Sequence, residues 1–137
     1  MKKVYPVILT TTLEGVLVEI PDLDIFTQGE DIADAMEMAR DAIGLYIVTA
    51  EDNSEVIKSP SNINEVDVRK GQFIDEGESV LTLIDIDIVA YRKRYDNKTV
   101  RRNVTIPNWL NVEADKANLN VSKVLQEALM EKLQVNR

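Results

Sequence analysis

The first part of the chain has the hydrophobic spacing of three β-strands. Residues 4–10 are mainly β-branched and apolar, residues 15–20 alternate, and residues 25–28 form a short third run that ends at Gly29. Alternation with a period of two is typical of strands, and the polar stretch between the first two runs suits a turn. We therefore predict an antiparallel hairpin followed by a third strand.

A helical period takes over at Asp31. Asp31 is placed to cap a helix, and Asp34 lies in the first turn, where the helix dipole favours a carboxylate. Apolar side chains then recur every three or four residues over about four turns. They are Ile32, Ala35, Met36, Ala39, Ala42, Ile43, Tyr46 and Ile47. This stripe is expected to pack on the sheet.

A fourth strand is predicted after residues 51–78, which indicate mostly loop with short elements. Over residues 80–88 two sets of side chains alternate. One set is Val80, Thr82, Ile84, Ile86 and Ile88, and the other is Leu81, Leu83, Asp85 and Asp87. The first set is expected to form a wholly buried face. Residues 1–91 thus predict a β-β-β-α-β domain of the α+β class, with one sheet and one main helix.

The last third of the chain predicts a second, smaller domain. Residues 92–97 are polar and charged, which suits a linker. Beyond them, residues 98–137 contain an alternating run over 100–106, a helix opened by Pro107 that runs to about residue 118, and a second amphipathic helix capped by Asn120. The predicted order is strand, helix, helix.

A strand and two helices in about 40 residues cannot bury a core alone, so two copies are expected to pair through their strands. The predicted dimer core is Val100, Val104, Ile106 and Trp109. On the opposite face, Arg101, Asn103 and Thr105 would project as a two-stranded ribbon. Such a ribbon fits the DNA major groove, where Arg can read guanine and Asn adenine. These three residues are the predicted base contacts, and a solvated strand face is the alternative.

Composition excludes several kinds of chemistry. The chain has 137 residues with no His and no Cys, which excludes disulfides and thiol nucleophiles and removes the commonest general base. We predict neither an enzyme nor a cofactor. No stretch approaches the roughly 20 apolar residues of a membrane span, and no signal peptide is evident. A soluble cytoplasmic protein is expected.

Charge is divided along the chain. Residues 1–91 hold 6 Lys+Arg against 19 Asp+Glu, a net charge of −13, and residues 92–137 hold 10 against 5, a net charge of +5. This division suggests one surface for a cationic partner and another for a polyanion, with a chance fluctuation as the alternative. A basic cluster favours the first interpretation; it comprises Arg92, Lys93, Arg94, Lys98, Arg101 and Arg102.

Residues 98–136 resemble the ribbon-helix-helix family of DNA-binding dimers. The likeness rests on the run Asn97-Lys98-Thr99-Val100-Arg101-Arg102-Asn103-Val104-Thr105-Ile106-Pro107, followed by two helices. In that family the outward strand residues contact bases, and backbone N–H groups at the start of the second helix hold a phosphate. The resemblance implies phosphate contacts by Lys98, Val121, Ser122 and Lys123. Helix N-termini do bind anions.

The front of the chain resembles the HicB antitoxin family. The matching motifs are Tyr5-Pro6-Val7, Gly15-Val16-Leu17-Val18-Glu19-Ile20-Pro21-Asp22-Leu23, Thr27-Gln28-Gly29, Asp34-Ala35 with Ala39, and a strand over residues 80–91. The resemblance implies a partial ribonuclease-H-like domain that binds a small basic, RNA-cleaving HicA toxin. Many members repress their own operon through a C-terminal DNA-binding domain. At Asp24-Ile25-Phe26 the family commonly has a glycine-containing turn, so a different local loop is expected.

The implied fold raises the question of nuclease activity. A two-metal nuclease needs carboxylates that converge on two ions about 4 Å apart, and the first strand contains no acid. Asp85 and Asp87 share a strand face, and Asp22 and Asp24 lie in a loop. We expect solubilising acids, or a negative surface that attracts a basic toxin, and no metal site.

Three functions are therefore compared. The first is an antitoxin that masks a HicA-like toxin and represses its own operon as a homodimer through the C-terminal domain, or as a tetramer that spans two half-sites. The second is a stand-alone ribbon-helix-helix regulator with a sensor or oligomerisation domain in front. The third is a metal-dependent nuclease. We favour the first.

Overall fold

The structure is a computed structural model that describes residues 2–96 and 98–135. The chain forms two compact units, Met1–Asn97 and Lys98–Arg137. The first unit holds 9 Lys+Arg against 20 Asp+Glu, a net charge of −11, and the second holds 7 against 4, a net charge of +3.

A four-stranded antiparallel sheet forms the first unit. Its strands are β1 Lys2–Thr12, β2 Gly15–Ile20, β3 Ile25–Gly29 and β4 Glu78–Asp87, in the order β3-β2-β1-β4. The predicted hairpin and the third and fourth strands are confirmed. Pro6 lies within the central strand β1, but β2 pairs with β1 only from Ile8 to Thr12. Proline is tolerated there because the neighbouring strand on one side has already ended.

Helix α1, Ile32–Asp52, covers one face of this sheet. As predicted, Asp31 caps it, because its side chain accepts a hydrogen bond from the Asp34 N–H at 2.8 Å. A Cβ added at Gly29 would lie 2.4 Å from the backbone nitrogen of Ala35, so the helix starts directly over the end of β3. The buried positions of the helix meet those of the strands. They are Ala35, Ala39, Ile43 and Ile47 of α1, with Tyr5, Val7, Leu9, Val16, Val18, Ile20, Ile84 and Ile86 of the sheet.

The long connection between α1 and β4 forms a layer on the opposite face of the sheet. It is mostly irregular, as predicted, with two 3₁₀ turns at Ile63–Glu65 and Val68–Lys70. The Gln72 N–H donates to Glu19 Oε1 at 2.9 Å, and the Phe73 ring packs edge-on against Phe26 with centroids 5.7 Å apart. The loop thus covers part of the sheet face that α1 leaves open.

The end of β4 differs from the prediction. The strand stops at Asp87, and α2 runs from Ile88 to Tyr95, so the expected strand over residues 80–91 ends four residues early and residues 92–95 of the expected linker are helical. Asp87 ends the strand because its side chain caps the new helix. The face predicted to be wholly buried is also open at one end, since Val80 is 58% exposed.

The second unit contains α3, Asn108–Lys116, and α4, Val121–Leu133. Both predicted helices are confirmed, although α3 ends two residues before Asn118. The predicted strand over residues 100–106 is absent: residues 98–107 have no regular secondary structure in the single chain. A strand is held by hydrogen bonds to a neighbour, and a lone chain supplies none here.

Candidate partner and nucleic-acid interfaces

The residues predicted to contact DNA bases lie in the irregular segment at the start of the second unit. Arg101, Asn103 and Thr105 are all exposed, and so is Lys98. The single chain does not arrange them as a ribbon, because no described strand lies beside this segment. Their alignment against a nucleic acid stays a prediction.

The N-terminus of α4 has the predicted cap. Asn120 Oδ1 accepts a hydrogen bond from the Lys123 N–H at 3.1 Å. The N–H groups of Val121 and Ser122 make no hydrogen bond with any described residue. The first N–H groups of a helix have no partner within it, and they can hold a phosphate oxygen. Two such donors therefore stand open beside the Lys123 side chain, which is also exposed.

The second unit has almost no buried interior. No side chain of residues 98–135 is fully buried. Val100 is 79% exposed, Val104 59%, Ile106 40% and Trp109 68%, so the predicted dimer core lies open in one copy. Further exposed apolar side chains lie on α3, α4 and the turn between them: Leu110, Val112, Leu119, Val121, Val124, Leu129 and Leu133. Exposed apolar surface of this extent marks an interaction site.

Asp22 and Asp24 belong to the framework of the first unit. Asp22 is buried, and its carboxylate accepts hydrogen bonds from the Ser61 N–H at 2.7 Å and the Ser61 hydroxyl at 2.6 Å. The expectation of an exposed, solubilising acid is therefore wrong for Asp22, which ties the loop to the sheet. Asp24 has a φ of 55°, a conformation in which glycine is favoured and aspartate is among the tolerated residues. Although this chain lacks the glycine, Asp24 adopts the left-handed conformation that a glycine-containing turn requires.

Asp85 and Asp87 also have internal partners. Asp85 accepts hydrogen bonds from Lys2 Nζ and Arg40 Nη2, both at 3.3 Å, and these cations hold the pKa of its carboxyl below the ordinary value. Asp87 accepts from the Ala90 N–H at 3.1 Å, and this bond lowers the pKa of the Asp87 carboxyl. Both acids hold the end of β4 and the start of α2 in place.

Arg92 was predicted to belong to the basic cluster, but its side chain pairs with acids of the first unit. Its guanidinium contacts Glu51 at 3.0 Å, Asp52 at 2.9 Å and Asp96 at 3.2 Å. The hydrogen bonds that the Arg92 guanidinium donates to Glu51 and to Asp52 raise its pKa. Because its charge is paired with these carboxylates of the first unit, Arg92 does not extend the basic surface of the tail. The only sequence signal for this pairing was the presence of two acids, Glu51 and Asp52, at the end of α1.

An open groove of about 730 Å³ lies where the β1–β2 turn, the end of β3 and the start of α1 meet. Leu13 at the tip of the turn is fully exposed, and Met38 is 38% exposed. The acids that line the groove, Glu14, Glu30, Asp34 and Glu76, form no ion pair with any described residue. These four carboxylates are available to a partner, whereas those of Asp22, Asp85 and Asp87 have internal partners.

The structure also bears on metal binding and membrane insertion. Over residues 2–96 and 98–135, no three acidic side chains come together in a way that could hold a metal ion. Within the same residues no helix has the length and apolar character needed to cross a bilayer.

Comparison with known proteins matches this architecture to a family. A family model described as HicB-like antitoxin of bacterial toxin-antitoxin system matches residues 5–129. A toxin-antitoxin complex from Streptococcus pneumoniae is 23% identical, with a TM-score of 0.62 over 96% of this chain and 99% of that chain. The antitoxin HicB of Burkholderia pseudomallei is 24% identical, with a TM-score of 0.52 over 96% and 97% of the two chains.

A third structure, a HicA3 and HicB3 toxin-antitoxin complex, is 26% identical, with a TM-score of 0.50 over 61% of this chain and 98% of that chain. No curated protein matches the sequence. The structural likeness supports the fold, and the family model extends from β1 into α4. The chain therefore belongs to the HicB-like antitoxin family of bacterial toxin-antitoxin systems.

Proposed function

We propose that this chain is a cytoplasmic antitoxin that neutralises a small basic, HicA-like mRNA-cleaving toxin and represses its own operon. The antitoxin part is supported by family membership across residues 5–129 and by two similar structures that are toxin-antitoxin complexes, one of them of HicA3 and HicB3. The chain itself is not catalytic in this proposal.

Toxin binding is assigned to the first unit. This unit carries a net charge of −11, and four acids without an ion pair, Glu14, Glu30, Asp34 and Glu76, line the groove beside the exposed side chain of Leu13. A basic protein is attracted by such a field, and apolar side chains at the centre of a contact exclude water from it. Inhibition is then steric and electrostatic masking of the toxin surface that binds RNA.

Operator binding is assigned to the second unit, and the observation that carries this part is its uncovered apolar surface. Paired antiparallel over residues 100–106, two copies would bury Val100, Val104, Ile106 and Trp109 and align Arg101, Asn103 and Thr105 on the outer face. The missing strand of the single chain is then formed between copies. This is the ribbon-helix-helix arrangement.

Phosphate contacts would fix this ribbon in the groove. Lys98 precedes the strand, and the open N–H groups of Val121 and Ser122 are two further donors, with the Lys123 ammonium beside them. Contacts of this kind position a protein on DNA without reading its sequence. Sequence discrimination then falls to Arg101, Asn103 and Thr105.

Two measurements test the two parts. The tagged full chain is recovered from its native cells after a high-salt wash that removes nucleic acid, and copurifying proteins are identified by mass spectrometry. A stoichiometric small basic protein whose RNA cleavage stops on adding the chain is the expected result. Binding of the purified chain to the DNA upstream of its own gene is then measured by mobility shift. Operator binding without any such protein would contradict the antitoxin part and leave a stand-alone regulator.

A further inference from the structure

Helix α2 is held on the first unit by few apolar contacts. Of its eight residues only Ile88 is buried. Tyr91 is partly buried and packs closely on α1 at Gly44. An open cleft of about 360 Å³ lies between the two helices, and its lining includes Asp41 of α1 and Tyr95 of α2. The second half of α2 therefore depends on polar contacts to stay on α1.

Two ion pairs join the last turn of α2 to the last turn of α1. Arg92 Nη2 donates to Glu51 Oε1 at 3.0 Å and to Asp52 Oδ1 at 2.9 Å. The last turn of α1 contains no basic residue, and a helix dipole disfavours carboxylates at this end. These two acids therefore do not stabilise α1 by themselves, and their favourable contact is the one with Arg92.

These ion pairs are accessible to solvent and to other charged molecules. The side chain of Arg92 is 30% exposed, that of Glu51 43% and that of Asp52 58%. Ion pairs as exposed as these are weak, and salt screens them. The docked position of α2 is therefore only modestly favoured, and a competitor that binds Arg92 can shift the equilibrium.

The charges that follow α2 indicate which competitor to expect. Lys98 and Arg101, both exposed, lie six and nine residues beyond Arg92. A DNA duplex carries one negative charge per about 1.7 Å of its axis. Because six residues span at most about 20 Å, a duplex held at Lys98 presents its phosphates close to Arg92 at high local concentration.

We propose that Arg92, Glu51 and Asp52 form an ionic latch that holds α2 on α1, and that a DNA backbone bound at the tail opens this latch by competing for Arg92. The inference rests on the proposed function, because that function assigns DNA binding to the tail. It adds a response of the first unit to DNA.

Opening the latch lengthens the connection between the two units. While α2 is docked, the connection to α3 begins after Tyr95 and has 12 residues; once α2 leaves α1, it begins after Asp87 and has 20 residues. An extended chain spans at most about 3.5 Å per residue, so the maximum reach rises from about 40 Å to about 70 Å. A first unit that holds a toxin can then move farther from a tail that stays on DNA.

Hydrogen exchange followed by mass spectrometry measures the docking of α2, because a short helix without tertiary contacts is marginal in water and its amides exchange faster. Raising the salt concentration is expected to accelerate exchange over residues 88–95 of the wild type by up to about tenfold. A saturating duplex of the DNA upstream of its own gene, at low salt, is expected to do the same. The amides of β1 are the internal reference and should not change.

Neutralising the two acids tests the ion pairs without weakening α1. Glu51→Gln with Asp52→Asn is expected to accelerate exchange in α2 at low salt and to abolish the response to salt. The change also removes carboxylates from the end of α1 where the dipole disfavours them, so faster exchange in α2 would not result from a damaged α1. Asp67→Asn, which removes the ion pair with Arg69 in the loop, is the matched control and should leave α2 as in the wild type.

A charge reversal gives a second test of the same contact. Arg92→Glu is expected to open the latch, and adding Glu51→Lys and Asp52→Lys is expected to close it again. If neither salt nor the neutralised acids change exchange in α2, the latch is refuted. If they do but saturating DNA does not, DNA is not the competitor and that part of the proposal falls. A chain that binds no DNA contradicts the proposed function, while the salt and variant measurements still decide whether the latch exists.

Discussion

Arg101 and Arg102 are adjacent and both exposed, and an extended backbone directs them to opposite sides. In the proposed ribbon only Arg101 faces the bases. Replacing Arg101 or Asn103 with Ala is expected to weaken operator binding by about 1 to 3 kcal/mol and to relax sequence preference. Arg102→Ala, on the face of the strand that carries Val100, Val104 and Ile106, is the control, expected to leave the sequence preference unchanged. Mobility shifts on both DNAs measure the difference, and equal effects of the two arginines would contradict the ribbon.

Two acids at the end of β4 give the first unit a defined response to acid. The pKa values of the Asp85 and Asp87 carboxyls are lowered in the folded state, so each stabilises the fold above its ordinary pKa of about 4. That contribution disappears as the pH falls through the lowered values. Urea unfolding from pH 6 to pH 2 is expected to show a shallower loss of stability for Asp85→Asn with Asp87→Asn than for the wild type. A wild-type slope in the double variant would refute these roles.

The packing of α2 on α1 depends on the absence of one side chain. A Cβ added at Gly44 would lie 2.5 Å from Cδ2 of Tyr91. Alanine in an exposed helix is more stable than glycine by about 1 kcal/mol, but overpacking here is expected to destabilise by about 1 to 3 kcal/mol. Gly44→Ala should therefore lower the free energy of unfolding, measured by urea titration. In a Tyr91→Ala background the same change should be neutral or stabilising, and destabilisation there would point to another cause.

Elements were predictable where one period held over many residues. Helix α1, its Asp31 cap and the β1–β2 hairpin follow from local patterns. The start of α2 was missed because Ile88 fits both the strand period and the first turn of a helix, and only the Asp87 cap separates the two. The role of Asp22 could not be predicted, since its partner Ser61 is 39 residues away. The strand predicted over residues 100–106 is absent from the single chain and would need a second chain as its partner.

The molecule as a whole is expected to divide its functions between its units. Val104→Asp would place a carboxylate in the dimer core, where a buried charge is strongly unfavourable. We expect it to abolish the tail dimer and operator binding while residues 1–97 still capture the toxin. Thr105→Asp, on the outward face, is the matched control that should keep the dimer and lose DNA binding. Mass measurement and toxin pull-down test both, and loss of toxin capture in Val104→Asp would show that the units are not independent.

The uncovered apolar surface of residues 98–135 makes the second unit sensitive to the amount of protein present. A unit whose interior forms only between copies has a stability that rises with protomer concentration, whereas the first unit has a buried core of its own. Dilution is therefore expected to separate and unfold the proposed DNA-binding unit before the proposed toxin-binding unit. If the proposed function holds, a cell that makes too little of this protein loses repression first and restores transcription of the operon while the remaining copies still hold the toxin.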